Sequence, residues 1–171
     1  MTSARCPDLP RRAASDADPI APMKTTTVLV NIDVPDLAAG ERFYTAAFGL
    51  KPARRFGAEA LELSGWPQFV YLLLKPPDSL AARCETRRYR RHWTPIHLDM
   101  VVSDVDAAVD RAIRAGALLE HPAREAGYGR IAMLADPFGH GFCLIEFSAA
   151  GYDAVITDAT TSSGTVQSED T

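Results

Sequence analysis

Two tetrapeptides decide the fold: Val34-Pro35-Asp36-Leu37 and, 68 positions later (34 to 102), Val102-Ser103-Asp104-Val105. Each closes an alternating run and opens a helical one. Before the first, Val28, Val30, Ile32 and Val34 alternate with Leu29, Asn31 and Asp33. That period of two marks a strand with one apolar and one mixed face. After it, Asp36 is placed to cap a helix ending at Gly49, with Leu37, Phe43, Tyr44, Ala47 and Phe48 as its apolar stripe. Before the second tetrapeptide, Leu98, Met100 and Val102 share one face of a strand that begins at His97. Ser103 and Asp106 read as a capping box, Val105, Ala108, Val109, Ala112 and Ile113 keep helical spacing, and Gly116 closes the helix.

Three strands are expected after each helix: near 52–56, 59–64 and 69–74 in the first copy, and near 117–120, 130–135 and 141–147 in the second. Asp136-Pro137-Phe138-Gly139 supplies the last hairpin turn, with proline presetting φ and glycine tolerating a positive one. The order βαβββ therefore occurs twice. A unit that cannot bury its own sheet must pack on its partner. The expectation is an α+β fold of two tandem modules that form a curved sheet around a cavity, helices outside. Repeat one spans 26–76, an Arg-rich linker 77–93 and repeat two 94–147, together one domain. Residues 1–25 lack any period and read as a disordered arm, with Met23 as a second candidate start. Residues 148–171 read as a flexible tail.

The chain has 171 residues, 47% of them hydrophobic, enough for one shared core. A net charge of −4 argues against nucleic acid as a partner. Cys6, Cys84 and Cys143 form no CxxC pair, so neither a disulfide framework nor a zinc knuckle is expected, which fits a cytoplasmic protein. No apolar run approaches the roughly 18 residues needed to span a bilayer, and no apolar stretch follows Arg11 and Arg12, so a secretory signal is not expected.

The words in this framework resemble the vicinal oxygen chelate superfamily, that of glyoxalase, bleomycin resistance protein and extradiol dioxygenase. The resemblance runs from about Thr26 to Phe147. It rests on Val34-Pro35-Asp36-Leu37 with Phe43-Tyr44 and Phe48-Gly49-Leu50, then on His97-Leu98-Asp99, Val102-Ser103-Asp104-Val105-Asp106-Ala107-Ala108, Tyr128-Gly129 and Asp136-Pro137-Phe138-Gly139-His140. It implies lyases, isomerases, dioxygenases, thiol transferases or drug-binding proteins, so membership alone does not decide function. The enzymes hold one divalent metal with His or Glu from the first and last strand of each repeat; the drug-binding members lack it. Those positions fall here on Leu29, Tyr71, His97 and Cys143. Leucine cannot ligate and neutral tyrosine is a poor ligand, so His97 is the one strong position left and no metal or other cofactor is expected.

Alternation puts Asn31 and Asp33 beside Leu29, and Asp99 beside His97, as further cavity residues. His97 and Asp99 are the acid/base candidates, since histidine titrates near neutrality. Each has a plainer reading: His97 as a hydrogen-bonded interior histidine, Asp33 and Asp99 as solvated carboxylates, Cys143 as a small core residue rather than an activated thiol. The linker residues 83–93 read either as a solvated connection or as a flap bringing Arg groups or Trp93 to an anionic or aromatic ligand. Three functions stay open: a homodimeric, metal-poor binder of a small organic molecule; a lyase, isomerase or dioxygenase-type enzyme with a degenerate or rearranged metal site; and a regulatory or scaffold subunit.

Overall fold

The computed structural model describes residues 28–157. The first module runs β1 (Val30–Val34), α1 (Leu37–Phe48), β2 (Lys51–Phe56), β3 (Ala60–Ser64) and β4 (Val70–Leu74). A short hairpin follows, β5 (Leu80–Ala82) with β6 (Glu85–Thr86). The second module runs β7 (Leu98–Val101), α2 (Val105–Ala115), β8 (Leu118–Ala126), β9 (Gly129–Ala135) and β10 (Gly141–Phe147), and a 3-10 helix at Gly151–Val155 ends the described chain. The two sheets have the same topology, β1-β4-β3-β2 and β7-β10-β9-β8, with first and last strands of each module parallel. Their ladders are separate, and β1 and β7 are both edge strands.

Local chemistry explains the helix ends. The Asp36 carboxylate accepts the Ala39 amide at 2.9 Å, and Gly49 takes the left-handed conformation that a terminal turn requires (φ 70°). The second helix starts differently from the expected Ser103 and Asp106 box. Asp104 has the extended backbone of a cap (φ −152°) and accepts the Ala107 amide at 2.9 Å, while Asp106 pairs with Arg130 at 2.8 Å. A carboxylate one residue nearer the helix displaces the serine.

One core serves both modules. Val34, Leu61, Leu63, Val70 and Leu72 from the first and Val105, Leu134 and Leu144 from the second are fully buried within it. Each such side chain contributes about 1.5–3 kcal/mol of burial. Phe142 joins the halves, its ring 5.4 Å from Phe48 and 6.5 Å from Phe43, and α1 packs on α2. Gly40 stands where the second module has Ala108. A Cβ there would come within 3.0 Å of Leu72 and 3.2 Å of Val34, so α1 lies close on its sheet.

Two expectations are corrected. Residues 148–157 contain the 3-10 helix, and Tyr152 packs on Phe147 at 4.8 Å and on Tyr128 at 5.0 Å, which anchors the start of the expected tail. Cys84 is disulfide-bonded, contrary to the expectation that none of the three cysteines is bridged. The expected arm 1–25, Met23 and the tail beyond 157 lie outside the described residues. Among the described residues no helix is long and apolar enough to cross a membrane.

Candidate functional site

The sheet faces turned away from the helices carry the polar residues. On the second module the ladder sets Asp99 beside Cys143, and Cys143 beside Met133. His97 Nε2 lies 3.1 Å from Asp99 Oδ1, so two residues on one strand have found the rotamers that bring their tips together. Burial pushes the Cys143 thiol up to about 11, and its hydrogen bond to Asp99 adds to the shift. Cys143 is therefore a protonated donor rather than an activated nucleophile. The ligand atoms of His97, Asp99 and Cys143 all lie within 4.8 Å of one another.

The first module places Asn31 beside Tyr71 and Tyr71 beside Glu62, so Asn31 and Tyr71 are the structural counterparts of Asp99 and Cys143. Glu62 was not singled out in the sequence. It is buried (3% exposed) and fully engaged: Arg54 grips it from Nε and Nη2 at 2.5–3.1 Å, and Tyr71 donates its hydroxyl at 2.8 Å. The Arg54 bonds hold the Glu62 carboxyl below its ordinary range. The bond to Glu62, with burial, raises Tyr71. Arg54 also sits 5.6 Å over the Phe56 ring, itself 6.0 Å from Tyr71. The alternation Leu61-Glu62-Leu63 marked Glu62 as face-out. What it could not show was the arginine eight residues earlier, which a bulge in the β2–β3 ladder turns toward it.

Between the modules, the edges of β1 and β7 bound a cleft of about 610 Å³. Leu29, Asn31, Asp33 and His97 line it, and Tyr44, His140 and Phe142 line it as well. A smaller pocket of about 250 Å³ takes Cys143 and His97 together with Trp93, Arg91, Glu120 and Met133. Of the seven expected cavity residues, four share the cleft, Cys143 sits in the neighbouring pocket with His97, and Asp99 joins those two. Tyr71 stands apart, bonded to Glu62.

The Arg-rich linker is a strap held at both modules. Arg87 pairs with Asp33 at 2.6 Å, Tyr89 donates to the Lys75 carbonyl at 2.7 Å, and Arg91 grips Glu120 at 2.6 Å. A Cβ on Gly139 would lie 2.5 Å from the Arg90 backbone, and one on Gly141 would lie 2.6 Å from the Arg91 guanidinium, so these two glycines let the strap lie down. Arg87 and Arg91 are thus committed to carboxylates, while Trp93 remains 81% exposed beside the smaller pocket.

Comparison with known proteins fits this architecture. A family model described as a glyoxalase-like domain matches residues 29–145. The chain belongs to the glyoxalase-like domain family. Anthracycline biosynthesis protein DauV from Streptomyces sp. (strain C5) is 30% identical over 121 residues, 71% of this chain. This glyoxalase-like chain covers 41% of that relative, so it spans about two fifths of its length. A glyoxalase/bleomycin resistance protein/dioxygenase family enzyme from Burkholderia phytofirmans PsJN shares the fold (TM-score 0.58, 24% identity, 70% of this chain and 97% of that one). So does the fosfomycin resistance protein FosX from Listeria monocytogenes, in complex with Mn(II) and a dihydroxypropylphosphonic acid (TM-score 0.55, 19% identity, 75% and 94%).

The metal such a relative holds is a test of the residues here. Of the four positions named by the family pattern, Leu29 has no donor atom. The Tyr71 hydroxyl is given to Glu62 at 2.8 Å, and a neutral phenol is a poor ligand for a divalent ion. The first module therefore offers nothing at its two positions, and the set does not fit a metal bound across both modules.

Proposed function

We propose that this glyoxalase-like domain binds a small organic molecule in the cleft between its modules and does so without a metal. The observation that carries the reading is the pairing of a cleft of about 610 Å³ with ligand positions that hold no metal donor in the first module. Pockets of this size, mostly apolar with a few convergent polar groups, suit drug-sized ligands. The likeness to an anthracycline biosynthesis protein supports flat polycyclic aromatics as the first compounds to try. A homodimer belongs to the reading: β1 and β7 have open edges, with Val28, Leu29, Ile96 and Val101 exposed next to them. Sedimentation that finds only monomer at every concentration removes that part.

The main test is thermal unfolding against a panel of polycyclic quinones, simple aromatics and glycopeptides. A compound that binds the native state raises the melting temperature. At least one polycyclic compound is expected to do so in metal-free buffer; a flat response across the panel overturns the reading. A second reading is favoured by one observation, the close set of His97, Asp99 and Cys143. In it a divalent ion held by the second module alone supplies Lewis-acid chemistry to a lyase, isomerase or dioxygenase-type reaction. Turnover that needs added metal and is lost in His97→Ala would establish it.

A further inference from the structure

Asp136-Pro137-Phe138-Gly139-His140 forms a hairpin turn and Tyr44 belongs to a helical stripe, but these roles leave their side-chain cluster unexplained. The Asp136 side chain is fully buried. Its oxygens accept four hydrogen bonds: the Tyr44 hydroxyl at 2.8 Å, the Phe138 and His140 amides at 2.9 Å each, and His140 Nδ1 at 2.8 Å. A carboxylate has about four lone-pair sites, so Asp136 is saturated. The two amide bonds already close the turn, and the Tyr44 bond already ties α1 to it. The bond to His140 does something else: it fixes the ring. With Nδ1–H given to the carboxylate, the neutral imidazole presents Nε2 as an acceptor. Nε2 has no partner among the described residues, yet no buried side-chain polar atom there is left unpaired, so Nε2 is open to its surroundings. His140 is one of the residues that line the cleft.

The geometry points to His140 Nε2 as the polar anchor of the cleft, accepting a hydrogen bond from the hydroxyl of a flat aromatic molecule such as a phenol, naphthol or hydroxyquinone. The inference rests on the cleft being a small-molecule site, as proposed above. Val30, Ile96, Leu98, Met100 and Phe142 supply apolar walls around this acceptor. An aromatic ring suits Phe142 and the Met100 thioether. An acceptor calls for a donor, and a neutral hydroxyl costs far less to desolvate against such walls than an ammonium does. Sites built to bond a hydroxyl discriminate against the analogue that lacks it.

The test compares 2-naphthol with 2-methoxynaphthalene, the same shape without the O–H. Titration of the whole protein, followed by naphthalene fluorescence, is expected to show 2-naphthol binding about tenfold tighter, the effect of one added hydrogen bond. In His140→Phe the naphthol loses its advantage over the ether. In the wild-type protein the His140 ring ¹⁵N resonance moves with naphthol and stays with the ether, a readout that holds even if His140→Phe does not fold. Equal binding of the two compounds, a preference that survives His140→Phe, or an unmoved His140 resonance each overturns the inference and leaves the cleft reading standing. Binding of neither compound overturns the inference, and the cleft reading falls too if the wider panel is also silent.

Discussion

The two modules follow one path and use their open faces in opposite ways. In the first, Arg54, Glu62 and Tyr71 are bonded to one another. In the second, His97 and Asp99 are exposed and the thiol of Cys143 leans on Asp99. The difference shows which parts of a repeat are constrained. Core positions must keep both halves packed in one cluster, so Leu72 and Leu144 are counterparts with no exposure in either module. Face positions lie outside that shared cluster, so Glu62 and Met133 occupy equivalent places in the two ladders.

The comparison breaks most visibly in the core. Leu72→Ala and Leu144→Ala should each cost about 2–5 kcal/mol, with one unfolding transition in calorimetry for both variants. Two transitions would mean that the modules do not share a core. The next effect is on thiol chemistry. With Cys143 at about 11 instead of 9.0, its thiolate at pH 8 is about a hundredfold scarcer than that of a free cysteine. Labelling with a disulfide reagent should be at least that much slower in the native protein than in denaturant, and prompt native labelling would restore the activated-thiol reading.

A smaller effect sharpens the first module. Arg54 lowers the Glu62 carboxyl in the folded state, so its contribution is present above the unfolded value of 4.5 and is lost as pH falls through the lower folded value. Melting temperature measured on acidification should therefore fall less steeply in Glu62→Gln than in the wild type; identical slopes would dissolve the cluster. Smallest of all, His97→Ala should change stability by no more than about 0.5 kcal/mol, because its contact with Asp99 is exposed and such contacts contribute little. A larger loss would give His97 a structural role.

Much of the fold was legible because periodicity reports the core directly. Asp36, Gly49 and Gly116 mark helix ends by backbone chemistry alone, and the ruler of 68 positions led from His97 to Leu29. The site was legible only along single strands. Asp99 beside His97 follows from alternation. Asp99 beside Cys143, or Glu62 under Arg54, depends on ladder register and on a bulge, which local pattern does not encode. Asp104 displaced Ser103 as cap because both types suit the position and one residue of backbone decides. The strap hid for a similar reason: its arginines read as a solvated charge run until Asp33 and Glu120 were placed beside them.

On the function proposed above, the family's metal positions bind no metal and the cleft serves an organic molecule instead. Equilibrium titration of the apo protein with Mn(II), followed by electron paramagnetic resonance, tests it most directly. Free Mn(II) signal should appear from the first addition, in wild type and His97→Ala alike. One equivalent of Mn(II) held tightly by the wild type and released by His97→Ala would contradict it.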